Sequence, residues 1–165
     1  MKKHVILLIL ITLLIPCQST LVLGQKTSDS NLAETFYSKA LFAILEKMNA
    51  DWGKIGDSDY KHVIVEKYFE ITDSMPTQKG EYNVEYLDRD GLIRRYKERK
   101  EKLRLFVAHP AEIDDKGIHI NFTVHYFSSK GNAVTYEVSD SGEAFFRYDC
   151  EKGEFVIDKV TLSGI

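Results

Sequence analysis

Residues 118–126 have the sequence Ile-His-Ile-Asn-Phe-Thr-Val-His-Tyr, and this strict alternation decides the fold. Apolar residues recur at every second position, which is the period of a β-strand with one buried face. Runs with the same period lie at 103–107, 134–138, 144–148 and 155–162. We therefore predict an antiparallel meander of five strands, apolar on one face and polar on the other. Turn-forming residues predict its turns at 114–117, 129–132, 140–142 and 151–153.

Upstream of the meander, residues 31–52 carry the strongest helical pattern of the chain. Asn31 is a candidate cap, and Glu34 is placed to reach back to it in a capping box. A stripe this wide needs a sheet to lie against, so we predict that the helix covers the apolar face of the meander. The stripe repeats at spacings of three and four residues and consists of Ala33, Phe36, Tyr37, Ala40, Leu41, Ile44, Leu45, Met48 and Trp52.

Between the long helix and the meander, residues 82–86 alternate as a short strand, and Asp88 then begins a second helix that runs to about Lys102. Residues 60–71 fit a strand through 63–65 and also fit a helical face, so the pattern leaves both open. The predicted fold class is α+β. A long N-terminal helix packs on a curved antiparallel sheet of about five or six strands, with the second helix between the first strand and the meander.

The first 24 residues have the three-part layout of a secretory signal peptide. Lys2 and Lys3 give a positive start, residues 5–15 are an unbroken apolar run, and Val22-Leu23-Gly24 fits a signal-peptidase site. The apolar run is too short for a membrane span. We expect export to the periplasm or the cell exterior, with the mature protein starting near Gln25.

The rest of the chain has the length of one domain. We predict a flexible leader over 25–30 and a single α+β domain over 31–165. A formal net charge of −3 argues against nucleic acid as a partner. Cys150 is the lone cysteine after signal removal, so no internal disulfide is expected. Cys17 follows Leu-Ile-Pro, which resembles a bacterial lipobox, and lipidation at Cys17 is the alternative to secretion.

Basic side chains are concentrated between Arg89 and Arg104. Such a helix can engage phosphates, anionic lipid or an acidic partner. Pairs with glutamates at four-residue spacing fit a solvated helix face as well, and both interpretations stay open. The candidate binding residues are Arg94, Arg95, Arg99 and Lys102.

No catalytic or metal motif is present in the sequence, and no cofactor is expected. His119 and His125 share a strand face, but six positions separate them by roughly 20 Å, which is too far for one ion. A cross-strand pairing of His109 with either of them stays open. The acidic pairs at 57–59 and 88–91 lack the glutamate that a calcium loop requires.

The order of elements over residues 31–162 resembles the cystatin-like cone superfamily, which includes nuclear transport factor 2 and ketosteroid isomerase. That resemblance implies an apolar pocket inside the cone, with an acid–base residue inside it in the enzymes. The ending from Tyr148 to Ile165 is similar to the tail of small exported bacterial proteins of unassigned function.

The sequence contains no group of an acid, a base and a nucleophile placed together. We therefore expect an exported, non-catalytic binding or accessory domain. Its expected partner is a protein or a small molecule of unknown identity. One alternative is a small cone-type pocket enzyme with a buried acid or base. The other is an anion or membrane-surface binder that uses the basic helix 89–104, and membrane contact is expected only through this helix or a lipid on Cys17.

Overall fold

The structure is a computed structural model that describes residues 29–52, 61–67, 69–131 and 133–164. Two helices and an open, mixed sheet of eight strands confirm the α+β class. The predicted signal peptide, its cleavage site and Gln25 lie outside the described residues. The elements are α1 (Asp29–Asp51), β1 (His62–Glu66), a 3₁₀ turn (Phe69–Asp73), β2 (Gln78–Lys79), β3 (Tyr82–Leu87), α2 (Arg89–Arg99), β4 (Leu103–Ala108), β5 (Glu112–Asp114), β6 (Gly117–Lys130), β7 (Ala133–Asp149) and β8 (Glu154–Gly164).

The sheet has the strand order β2-β3-β1-β4-β6-β7-β8, and β5 pairs with β6 beside this path. The predicted antiparallel strands are joined by β1, which runs parallel to both β3 and β4 and makes the sheet mixed. Val63, Ile64 and Val65 are all buried because helices cover both faces of the sheet at this strand. The segment 60–71, left open by its pattern, therefore contains a strand followed by the start of the 3₁₀ turn.

Strand β7 runs through residues 140–142, so the turn predicted there is wrong. Val124 pairs with Asp140 and His125 pairs with Val138, which leaves Ser139 as an extra residue in a β-bulge. Gly142 lies where α1 crosses the sheet, and a Cβ atom on it would stand 2.4 Å from Ile44 Cγ2. This glycine serves the close approach of helix and strand, and not a change of chain direction.

The two faces of the sheet carry two separate cores. Helix α1 packs on one face over a large core that includes Phe42, Phe122 and Phe146. Helix α2 packs on the opposite face, which the sequence predicts to be polar throughout. That prediction is wrong at the α2 end, because β4 and β6 place apolar side chains there. The smaller core consists of Ile64, Leu92, Leu103, Leu105 and Phe127.

Helix α2 begins as predicted and ends earlier. The Asp88 carboxylate accepts a hydrogen bond of 2.7 Å from the Gly91 N–H, as an N-terminal cap does. Lys100 then adopts a left-handed conformation with φ of 58°, and its N–H donates to the Tyr96 carbonyl at 2.8 Å. Lys102, predicted as helical, therefore lies in the connection to β4. Helix α1 starts at Asp29, so the predicted cap Asn31 lies inside the helix.

Candidate anion-binding groove

A groove of about 650 Å³ lies on the α1 face of the sheet, where α1 ends. We call it the basic groove. Leu45 on α1, Val63 on β1 and Phe106 on β4 give it a buried apolar floor. The side chains that line it come from both helices and five strands. They belong to Leu45, Trp52, His62, Val63, Ile64, Arg99, Glu101, Lys102, Leu103, Arg104, Phe106, Tyr126, Asp140 and Leu162, and Gly164 completes the lining.

Three basic side chains, Arg99, Lys102 and Arg104, meet at this groove. The left-handed residue Lys100 stops α2 and turns the chain into β4, so the helix end and the strand start reach the same opening. The Arg104 guanidinium lies 5.9 Å from the centre of the Phe106 ring, within the range of a cation–π contact. Positive charge is therefore held directly beside the apolar floor.

Acidic side chains partly offset this charge. Lys102 Nζ lies 2.6 Å from Glu137 Oε2, and both side chains are about half exposed. Glu101 and Asp140 also line the groove. Within residues 61–67, 69–131 and 133–164, no ion pair involves Arg99. Arg99 and Arg104 each bring a guanidinium group to the lining of the groove.

The four predicted binding residues separate into two pairs. Arg99 and Lys102 line the basic groove, whereas Arg94 is exposed on α2 and does not line it. Arg95 is held in ion pairs with Glu85 and with Glu98, at 2.5 Å and 3.5 Å. The predicted basic helix 89–104 is therefore not one continuous surface. The helix ends at Arg99, and its basic side chains do not all reach the same part of the protein.

Several lining residues were not singled out as site residues from the sequence. Trp52 follows α1, His62 begins β1, Tyr126 lies on β6 and Asp140 lies on β7. They are far apart along the chain, and only the strand order brings them together. Tyr126 belongs to the apolar alternation of β6, yet it is 40% exposed.

His109, His119 and His125 lie on the opposite face of the sheet. Thr123 Oγ1 lies 2.9 Å from His109 Nε2 and 2.7 Å from His125 Nε2, so a hydroxyl group stands between the two imidazoles. Burial lowers the pKa of His125, and the nearby His109 lowers it further. His119 lies apart from this chain of contacts. Among the described residues, no three His, Cys, Asp or Glu side chains are arranged to hold a metal ion.

No protein-family model, curated protein or solved structure matches the chain. The basic groove is therefore interpreted from its own residues, and the likeness to the cone superfamily stays a prediction. In the part of the chain that the structure describes, neither helix combines the length and apolar character needed to cross a membrane.

Proposed function

We propose that this protein is an exported binding domain whose basic groove holds a small amphipathic anion. The observation that carries the proposal is the meeting of Arg99 and Arg104 above an apolar floor. A guanidinium group donates two parallel hydrogen bonds to a carboxylate or phosphate. The volume of about 650 Å³ is within the usual range of small-molecule sites. The ligand's charged end would contact the arginines and its apolar body would lie on Phe106.

The arrangement favours a small ligand over a membrane surface. A flat anionic surface is best met by a broad, outward-facing set of basic side chains. Here Arg95 is engaged by Glu85, and Arg99 and Arg104 border a recess. A pocket enzyme would require an acid or base enclosed in this recess. The acidic groups that line it are Glu101, which is exposed, and Asp140, which is half-buried.

The first test is a fluorescence titration with dodecanoate, because Trp52 is the single tryptophan of the chain and lines the groove. We expect saturable binding that changes the Trp52 emission. Arg99→Gln and Arg104→Gln should each weaken binding by about tenfold, since each removes a charge-assisted hydrogen bond. Thermal unfolding of the variants checks that the fold is kept.

The matched control is Arg94→Gln, an arginine on the same helix that lies outside the groove. It should leave dodecanoate binding unchanged, and dodecanol, which lacks the charge, should bind more weakly. Equal losses for the Arg94 and Arg99 variants would contradict the proposal. So would binding to anionic phospholipid vesicles in the absence of any binding to dodecanoate.

Export is part of the proposal and rests on the pattern of residues 1–24. When the gene is expressed in a bacterial host, the protein recovered outside the cytoplasm should begin at Gln25, as measured by intact mass. A product of full-length mass that remains in the cytoplasm would contradict export. A lipid-modified product that begins at Cys17 would support the lipoprotein alternative.

A further inference from the structure

A second cavity, of about 370 Å³, lies on the sheet face opposite α1. We call it the histidine groove. It lies beyond the region that α2 covers, along the part of β6 that keeps its polar face. Its lining residues are His109, Pro110, Glu112, His119, Asn121, Thr123 and Glu143.

Strand pairing explains why carboxylates border this groove on both sides. Glu112 on β5 is the partner of His119 on β6, and Glu143 on β7 is the partner of Asn121. Paired residues of an antiparallel ladder point to the same face, so both carboxylates stand beside the polar row of β6. The His109 N–H donates to the Asn121 carbonyl at 3.0 Å and fixes the end of β4 against this row.

The groove is rich in hydrogen-bond acceptors. None of the residues that line it within the described chain is a lysine or an arginine. The side-chain oxygen Asn121 Oδ1 is buried and has no hydrogen-bond partner among the described residues. A buried acceptor left unpaired costs about 1–3 kcal/mol, so a donor brought into the groove would be favoured there.

His119 lies between two carboxylates at the edge of the groove. Its Nε2 atom lies 3.1 Å from Asp114 Oδ1 and its Nδ1 atom lies 3.6 Å from Glu143 Oε1. Its ring packs against Phe145 with the two centres 4.6 Å apart, which holds the imidazole in place. A third carboxylate, Asp114, therefore stands next to the two that belong to the groove.

We propose that the histidine groove binds a ligand with a primary ammonium group. Such a group carries one positive charge and three N–H donors, which match the carboxylates of Glu112 and Glu143 and the oxygen of Asn121. An anion would meet these carboxylates without any lysine or arginine beside them. The site is on the opposite face from the basic groove, so its occupancy does not depend on the function proposed above.

The test is a titration of the protein with 1,4-diaminobutane, followed by NMR at the side-chain amide of Asn121. We expect a saturable shift of this signal. Tetramethylammonium has the same charge per nitrogen and no N–H donor, and it should produce no saturable shift. If the diamine gives no saturable shift, or if tetramethylammonium gives an equal one, the proposal is wrong.

Two variants locate the binding site. Glu143→Gln should weaken diamine binding by about tenfold because a charged acceptor is lost. Glu112→Gln, at an exposed position, should weaken binding in the same direction and keeps the test valid if the half-buried Glu143 affects folding. The control is Glu154→Gln, an exposed glutamate on β8 that does not line the groove. Equal binding by all three variants would overturn the assignment.

Discussion

The absent side chain of Gly142 allows α1 to lie directly on β7. A Cβ atom there would stand 2.4 Å from Cγ2 of Ile44, a fully buried residue of α1. Gly142→Ala should therefore lower the free energy of unfolding by about 1–3 kcal/mol, because helix and strand would have to move apart. Urea denaturation measures this change.

Two further variants separate crowding from the general effect of replacing a glycine. A Cβ atom on Gly164 would have only Asp140 Oδ1 near it, at 3.4 Å, so Gly164→Ala should change stability little. In a background of Ile44→Ala, the clash is removed and Gly142→Ala should cost much less than in the native protein. If the cost of Gly142→Ala is the same in both backgrounds, the crowding explanation is wrong.

At the level of the elements, sequence patterns correctly predicted the helices and strands that depend on residues close together in the chain. The alternation of 118–126 predicted β6, and Asp88 predicted the start of α2. Strand β1 stayed ambiguous because burial on both faces gives Val63–Val65 no alternation. The turn at 140–142 was predicted from residue types that favour turns, whereas the crossing of α1 explains its glycine. That crossing is a contact between distant parts of the chain.

The basic groove shows the same limit. Spacing along the sequence placed Arg94, Arg95, Arg99 and Lys102 on one helix, and it could not show which of them would be neutralised. The ion pair of Arg95 with Glu85 depends on α2 packing beside β3. The left-handed residue that ends α2 is Lys100 and not a glycine, so the sequence did not indicate the end of the helix there. Two of the four residues therefore reach the groove, and Arg104 joins them from β4.

For the whole molecule, stability should depend on pH through His125. Its pKa in the folded state is lowered from 6.5 because of burial and because of His109, with Glu66 acting in the opposite direction. Below pH 6.5 the unfolded chain therefore binds the proton more readily than the folded chain. The free energy of unfolding should fall as the pH is lowered from 6.5, and this contribution should level off below the folded-state pKa.

Urea denaturation between pH 7.5 and 5 measures this dependence. His125→Gln should flatten it, because the imidazole whose pKa burial lowers is then absent. Backbone hydrogen bonds from Lys116 and Lys152 lower the pKa values of Asp114 and Asp149. Protonation of these two carboxylates therefore affects stability at a lower pH than protonation of His125 does. An unchanged slope in the His125 variant would contradict the expectation.

The central position of β1 also determines where chain entropy opposes folding most. Strands β6 and β7 are joined by a tight turn, with Lys130 opposite Ala133. Ile64 on β1 pairs with Leu105 on β4, which closes a loop of about forty residues. Closing the longer loop costs about 2 kcal/mol more in chain entropy than closing a loop of four. Among the strand pairings of this sheet, chain entropy therefore opposes the pairing of β1 with β4 most.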